Sequence, residues 1–249
     1  MYLEPYTTSY ALGEFKLHGE YQLQERLKDI TLNTVFDVGA NSGEWTRMCR
    51  SFQPTADIHT FELIPQTFKK MIDNNVIDEH VFPNSYGLSN GTKFIPVNIV
   101  PDNDRVTTAV LDYAHTDVKR VSALVTTGEY YCTIQEIHII DFLKLDCEGH
   151  EWEVLEGFKA VMQAQAIGCI QFEYGLLNVL TKHLLMDFYR MLTPLGYTLG
   201  KLTPEGVQFK DFNLQDEDFR GPDYVAVHRT RPDLLQAVAQ SGWLIASPA

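Results

Sequence analysis

Short runs of β-branched and aromatic residues alternate along the chain with longer stretches whose apolar positions recur every three or four residues. A short apolar run bounded by turn residues suits a strand buried on both faces, and the 3.6-residue period suits a helix lying across it. Strands are therefore expected at 34–38, 58–62, 81–85, 139–146, 168–174, 197–202 and 224–229, and helices at 43–52, 65–75, 151–164 and 182–192. The helix from Pro65 opens on a residue whose missing N–H costs nothing in the first turn. Strand and helix in alternation predict an α/β fold with a mostly parallel sheet and helices on both faces.

Three segments depart from this rhythm. Residues 93–127 read as extra strands around a polar loop, an insertion within a domain spanning 33–230. Residues 1–32 form an aromatic-rich N-terminal extension, expected to cover a face of the sheet or to trail as a tail, and 231–249 a C-terminal tail. Leu176, Leu177, Val179, Leu180, Phe188 and Leu192 are expected in the core, and the acidic run 211–218 as a solvated loop.

Composition narrows the function. The chain has 249 residues, 45% hydrophobic and 21% charged, and its 33 acidic against 20 basic residues leave a net charge of −13. Such an excess repels phosphate backbones and anionic lipid, so neither nucleic acid nor membrane is expected as a partner. Cys49, Cys132, Cys147 and Cys169 follow neither a zinc-site spacing nor a compact disulfide framework, and are read as reduced thiols. The opening residues lack the basic start and apolar run of a secretory signal, which predicts a cytoplasmic protein.

The first strand runs into a tight turn and a helix start, Val35-Phe36-Asp37-Val38-Gly39-Ala40-Asn41-Ser42-Gly43-Glu44, where open α/β sheets take cofactors. Gly39 lets the backbone approach a ligand, and Asn41 tolerates a left-handed conformation. The amides of Asn41, Ser42, Gly43 and Glu44 are then expected to face an anion at the helix start. A dinucleotide fingerprint requires glycine where Asn41 and Glu44 stand, and Glu44 would repel a pyrophosphate, so NAD and FAD are disfavoured. Glu62, about twenty residues beyond the turn at the end of the second strand, is placed to accept both hydroxyls of a ribose. Turn and acid together point to an adenosine-type ligand.

A second group of polar residues follows the strand predicted at 139–146. If strand geometry persists to Glu148, Asp146 and Glu148 share one face and Cys147 takes the other. Glu173 ends the next strand in the same way, so Asp146, Glu148, His150 and Glu173 are expected around one crevice beside the glycine turn. Two chemistries are open to them. A neutral His150 can take a proton from an acceptor hydroxyl, or Asp146 and Glu173 can hold a divalent cation that acidifies that hydroxyl. One by one, Asp146 and Glu148 read equally as caps of the helix from Glu151, and Cys147 as a packing residue; as a group they read as a site.

The segments Val35–Gly43, Phe61–Glu62 and above all Phe142–Gly157, FLKLDCEGHEWEVLEG, resemble the FkbM-type methyltransferases, as does the closing run Pro222–Val227. The resemblance covers about residues 33–229. It implies a Rossmann-like class I methyltransferase fold with an antiparallel last strand, S-adenosylmethionine as cofactor, and O-methylation of a small-molecule or sugar hydroxyl. On this likeness Asp37, Gly39, Asn41 and Gly43 surround the methionine end of the cofactor, Glu62 binds its ribose, and the stretch containing Ser85 and Tyr86 meets the adenine. Gln135 stands where the family often carries an acid. That departure keeps a second reading open, a cofactor-binding partner protein without catalysis in a biosynthetic assembly. The insertion and the aromatic N-terminus are where acceptor choice is expected to lie.

Overall fold

The computed structural model describes residues 13, 15–74, 76–100, 103–108, 119–221 and 223–241. After helix α1 (Glu20–Leu27), the chain alternates β1 (Thr34–Val38), α2 (Glu44–Phe52), β2 (Asp57–Phe61), α3 (Pro65–Asp73) and β3 (Val81–Asn84). A second set of strands follows, β4 (Gly87–Leu88), β5 (Lys93–Val100), β6 (Asn103–Thr108) and β7 (Lys119–Thr126). The chain then returns through α4 (Gly128–Ile134), β8 (Ile140–Leu145), α5 (Glu151–Gly157), α6 (Lys159–Gln163), β9 (Ile167–Glu173), α7 (Leu177–Thr181) and α8 (Leu185–Leu192). It closes with β10 (Tyr197–Thr203), β11 (Gly206–Phe209), β12 (Asp223–His228) and α9 (Pro232–Val238).

The main sheet has eight strands in the order β11-β10-β12-β9-β8-β1-β2-β3. From β9 to β3 all neighbours are parallel, and β12 enters antiparallel between β9 and β10. The chain runs outward from β1 to β2 and β3, then returns to β1's other side with β8. A crevice opens at the carboxyl ends of the strands where the direction of winding reverses, between β1 and β8. This is the Rossmann-like class I arrangement with its reversed closing strand.

Alternation along each strand fills two cores. Phe36, Leu143, Leu145, Ile170 and Phe172 pack with α4, α5, α6 and α8 on one face, centred on Phe158 and Phe188. Val35, Ile58, Phe142, Cys169 and Val225 pack with α1, α2 and α9 on the other, through Leu23, Leu27, Trp45 and Leu234. The N-terminal extension therefore contributes a core helix, and α9 folds residues beyond 231 back onto the same layer. The segment 93–127 supplies most of a second, four-stranded sheet ordered β4-β7-β5-β6. Residues 1–12, the start of the extension, lie outside the described residues.

Three local expectations are corrected. The strand predicted to reach Asp146 stops at Leu145, and the chain turns left-handed at Glu148 (φ 52°) and Gly149 (φ 94°). The helix predicted at 182–192 begins at Leu185, because Lys182 (φ 64°) ends the preceding short helix. Leu176, Val179 and Leu180 are exposed at 76%, 52% and 41%, whereas Asn178 is the buried residue of α7. Its Oδ1 accepts the Gly175 amide, a local turn bond that outcompetes the apolar face.

Candidate active site

The turn after β1 is tied to the end of β2 by two backbone bonds, the amides of Gly39 and Ala40 donating to the Phe61 carbonyl at 2.9 and 3.0 Å. Gly39 is obligatory twice over: its φ is +83°, and a Cβ there would lie 1.8 Å from the Asp146 carbonyl oxygen. That close approach joins the β1 turn to the β8 turn. Asn41 takes the expected left-handed conformation, φ 50°.

Glu62 organises the turn from below. Its Oε2 accepts the Asn41 amide at 3.0 Å and its Oε1 the Ile64 amide at 2.7 Å. Three of the four amides expected to face an anion are engaged within the turn: the Asn41 amide is given to Glu62, the Ser42 amide to Asn41 Oδ1 at 2.7 Å, and the Gly43 amide to the Ala40 carbonyl at 2.8 Å.

Beneath the turn, Asp37 is fully buried and accepts the Thr46 hydroxyl at 2.6 Å. It supports the crevice from beneath, and so does Gly43, whose Cα lies under Val76 and Met71 at the start of α2. Lys144, not foreseen from the sequence, projects from β8 between two acids: Nζ is 3.0 Å from Asp146 Oδ2 and 3.6 Å from Asp37 Oδ1. Burial alone would lower its pKa, but Asp146, Asp37 and Glu20 together outweigh that and hold the ammonium above its ordinary range. The Trp45 ring covers the same cation at 5.4 Å.

The turn from β8 into α5 carries the remaining predicted residues. Its amides are not capped by Asp146 or Glu148: Glu151 Oε1 accepts from Cys147 N at 2.7 Å and Gly149 N at 3.3 Å. Burial, opposed by these bonds, raises the Glu151 carboxyl to about 7. Burial, then Asp146 and Glu151, raises Glu148, and burial with Asp146, Glu148, Glu151 and Asp223 raises Glu173. Glu20 of α1 joins the group, accepting from Gln171 Nε2 at 2.8 Å, while the same Nε2 donates to Asp223. His150 is kept neutral chiefly by burial, against the pull of Glu153 and with the help of Lys93.

These parts enclose one crevice. Gly39, Asn41, Ser42 and Glu62 line it together with Lys144, Asp146, Cys147, Glu148 and His150. Its empty space of about 1100 Å³ is open to solvent. Ile95, Val97 and Val125 of the second sheet and Phe15 of the extension complete the walls. Glu173 stands behind the lining. Of the stretch Ser85–Leu88, Gly87 and Leu88 line the crevice; the Tyr86 hydroxyl donates to Asn84 Oδ1 at 3.0 Å and its ring packs on Phe61. Among the described residues no group of three or more His, Cys, Asp or Glu side chains converges to hold a metal ion. Asp146, proposed as a ligand, already faces the Lys144 ammonium, so the donor set does not fit a divalent cation.

A family model described as the methyltransferase FkbM domain matches residues 37–198. The chain belongs to this family. Methyltransferases of this family use S-adenosylmethionine, and the residues present here fit that cofactor. Glu62 presents its carboxylate in the lining, Leu63 and Leu88 offer an apolar wall, and Trp45 in the lining keeps a buried indole N–H with no hydrogen-bond partner among the described residues. The FkbM chain is similar to the hexuronic acid methyltransferase AglP of Haloferax volcanii, 28% identical over 145 residues, 58% of this chain and 57% of the relative. It thus spans less than two thirds of that relative's length. Among solved structures it is similar to the magnesium protoporphyrin IX methyltransferase of Synechocystis PCC 6803, at TM-score 0.46 and 9% identity over 92% of this chain and 86% of the other. It is also similar to the precorrin-6y C5,15-methyltransferase of Geobacter metallireducens, at TM-score 0.42 and 14% identity over 82% and 84%. Among the described residues no helix is long and apolar enough to cross a membrane.

Proposed function

We propose that this FkbM methyltransferase methylates a hydroxyl oxygen of a small molecule, a sugar or a natural product, with His150 taking the hydroxyl proton. The observation that carries this reading is the His150 imidazole in the crevice wall, where burial favours its neutral form. An alcohol is a weak nucleophile until its proton has somewhere to go, whereas an uncharged amine attacks without such help. S-adenosylmethionine, when bound, supplies an electrophilic methyl group. Glu62 and the turn at Gly39 fix the ligand's adenosine end, and Lys144 balances Asp37 and Asp146 so that the floor carries less uncompensated charge. Asp146 and Glu148 offer acceptors that orient the other hydroxyls of a polyol. Ile95, Val97 and Val125 close the acceptor side and are where acceptor size is selected.

The similarity to a hexuronic acid methyltransferase supports a sugar as the first acceptor to try. The purified protein, incubated with S-adenosylmethionine and a panel of sugars, uronic acids, phenols and amines, should form S-adenosylhomocysteine and O-methylated product with a hydroxyl acceptor. Products methylated only on nitrogen would overturn the reading.

A further inference from the structure

His150, in the crevice wall, is the middle of a chain of side chains. Its Nε2 lies 3.0 Å from the Ser89 hydroxyl, and its Nδ1 faces Glu153 Oε2 at 3.6 Å. That Oε2 is buried with no hydrogen-bond partner among the described residues. The other oxygen, Oε1, faces His183 Nε2 at 3.8 Å, and the His183 ring is stacked on Trp152 at 4.7 Å and 13°. Glu153 is thus pinned between two imidazoles.

The local sequence builds this. His150 is the residue before α5 and Glu153 lies one turn into it, a spacing of three that stacks both on one helix face. Gly157, one turn further, lets Ser89 approach: a Cβ there would stand 2.1 Å from the Ser89 carbonyl oxygen.

We propose that Glu153 is a positioning residue that sets the tautomer of His150, and that Ser89 is the hydroxyl that occupies its basic nitrogen until an acceptor arrives. This rests on the O-methylation reading. A carboxylate beside Nδ1 favours the tautomer with the proton there, which makes Nε2 the acceptor nitrogen. The Ser89 hydrogen has two places to go, His150 Nε2 at 3.0 Å and Asn90 Oδ1 at 3.4 Å. Rotation to Asn90 frees Nε2. The proton of the acceptor hydroxyl then passes to Nε2, its O–H electron pair stays on the oxygen, and the imidazolium is held by the Glu153 carboxylate until it gives the proton to solvent. The charged groups around the imidazole are Glu153 and Glu156 of α5, Lys93 of β5, Glu148 of the crevice wall and His183; Asn90 separates Lys93 and Glu156 from it, accepting from the one at 2.7 Å and donating to the other at 2.9 Å.

The test is nitrogen-15 NMR of the imidazoles in the protein without cofactor, which does not depend on turnover. The wild type should show His150 protonated at Nδ1 when neutral. Glu153→Gln, which keeps shape and removes charge, should move the His150 titration to lower pH and mix the two tautomers, and Glu153→Asp should restore part of both. In turnover the acid limb of kcat should move to lower pH in Glu153→Gln with KM for the acceptor unchanged. An unaltered titration and tautomer in folded Glu153→Gln would overturn the role of Glu153. Altered NMR without any hydroxyl methylation by the wild type would instead count against the O-methylation reading and leave the positioning intact.

Discussion

The Asp146 carbonyl oxygen occupies the space where residue 39 would carry a Cβ, 1.8 Å from the ideal position on Gly39. This contact locks together the β1 and β8 turns, both of which line the crevice. Gly39→Ala must therefore separate the turns and also accept a φ of +83°. The backbone term alone costs about 1–2 kcal/mol. Urea unfolding should record at least that loss, and calorimetric titration should record weaker S-adenosylhomocysteine binding. Unchanged affinity would mean that the joined turns do not position the ligand.

Glu62 is expected to contribute through charge-assisted bonds to a diol. Its replacement by Gln keeps an acceptor and removes the charge, and replacement by Ala also releases the Asn41 and Ile64 amides. Loss of such bonds costs about 1–3 kcal/mol. Titration calorimetry should find S-adenosylhomocysteine bound more weakly by Glu62→Ala than by Glu62→Gln, with both weaker than wild type. Equal affinities in all three would remove Glu62 from the ribose site.

Stability should fall as the pH rises through the acid cluster. Burial, with Asp146 nearby, raises Asp223 to about 6, and burial raises Glu151 to about 7, both above their unfolded values near 4. A carboxyl whose folded pKa is raised holds its proton more tightly in the native state. Its stabilising effect is complete below the unfolded pKa and is lost as the pH climbs through the folded one. Thermal unfolding should accordingly show Tm declining between about pH 4 and pH 7 from these two groups. Asp223→Asn should flatten the lower part of that decline, and a parallel curve in the variant would show that Asp223 does not titrate there.

How much of this site can be read from sequence depends on how local each contact is. Gly39, Asn41 and Glu62 are legible because each sits at a strand end with a turn signal beside it, and the bonds among them span about twenty residues. The strand ends of β8 and β9 likewise announce Asp146 and Glu173. Lys144 carries a weaker mark, the one basic residue in the largely apolar run Ile140–Leu145, and its partners come from β1 and from α1, where periodicity is silent about pairing. Ser89 reaches His150 only because Gly157 admits its backbone, a tertiary contact between the second sheet and α5. The Leu-rich α7 misleads for the opposite reason: its pattern is helical, but Asn178 is the residue that the local turn pulls inward.

Lys144 also yields the sharpest energetic prediction. It is 3% exposed between Asp37, which is fully buried, and Asp146. Lys144→Met keeps the volume and removes the one cation facing these acids among the described residues. Breaking a buried pair in this way costs about 3–5 kcal/mol, because the remaining charge stays buried without compensation. Chemical denaturation should give a loss of this size. Asp37→Asn in the Lys144→Met background should recover part of the loss, since the uncompensated charge goes with it. Strictly additive single and double variants would mean that Lys144 acts by packing under Trp45 and that the ion pair with Asp37 contributes nothing.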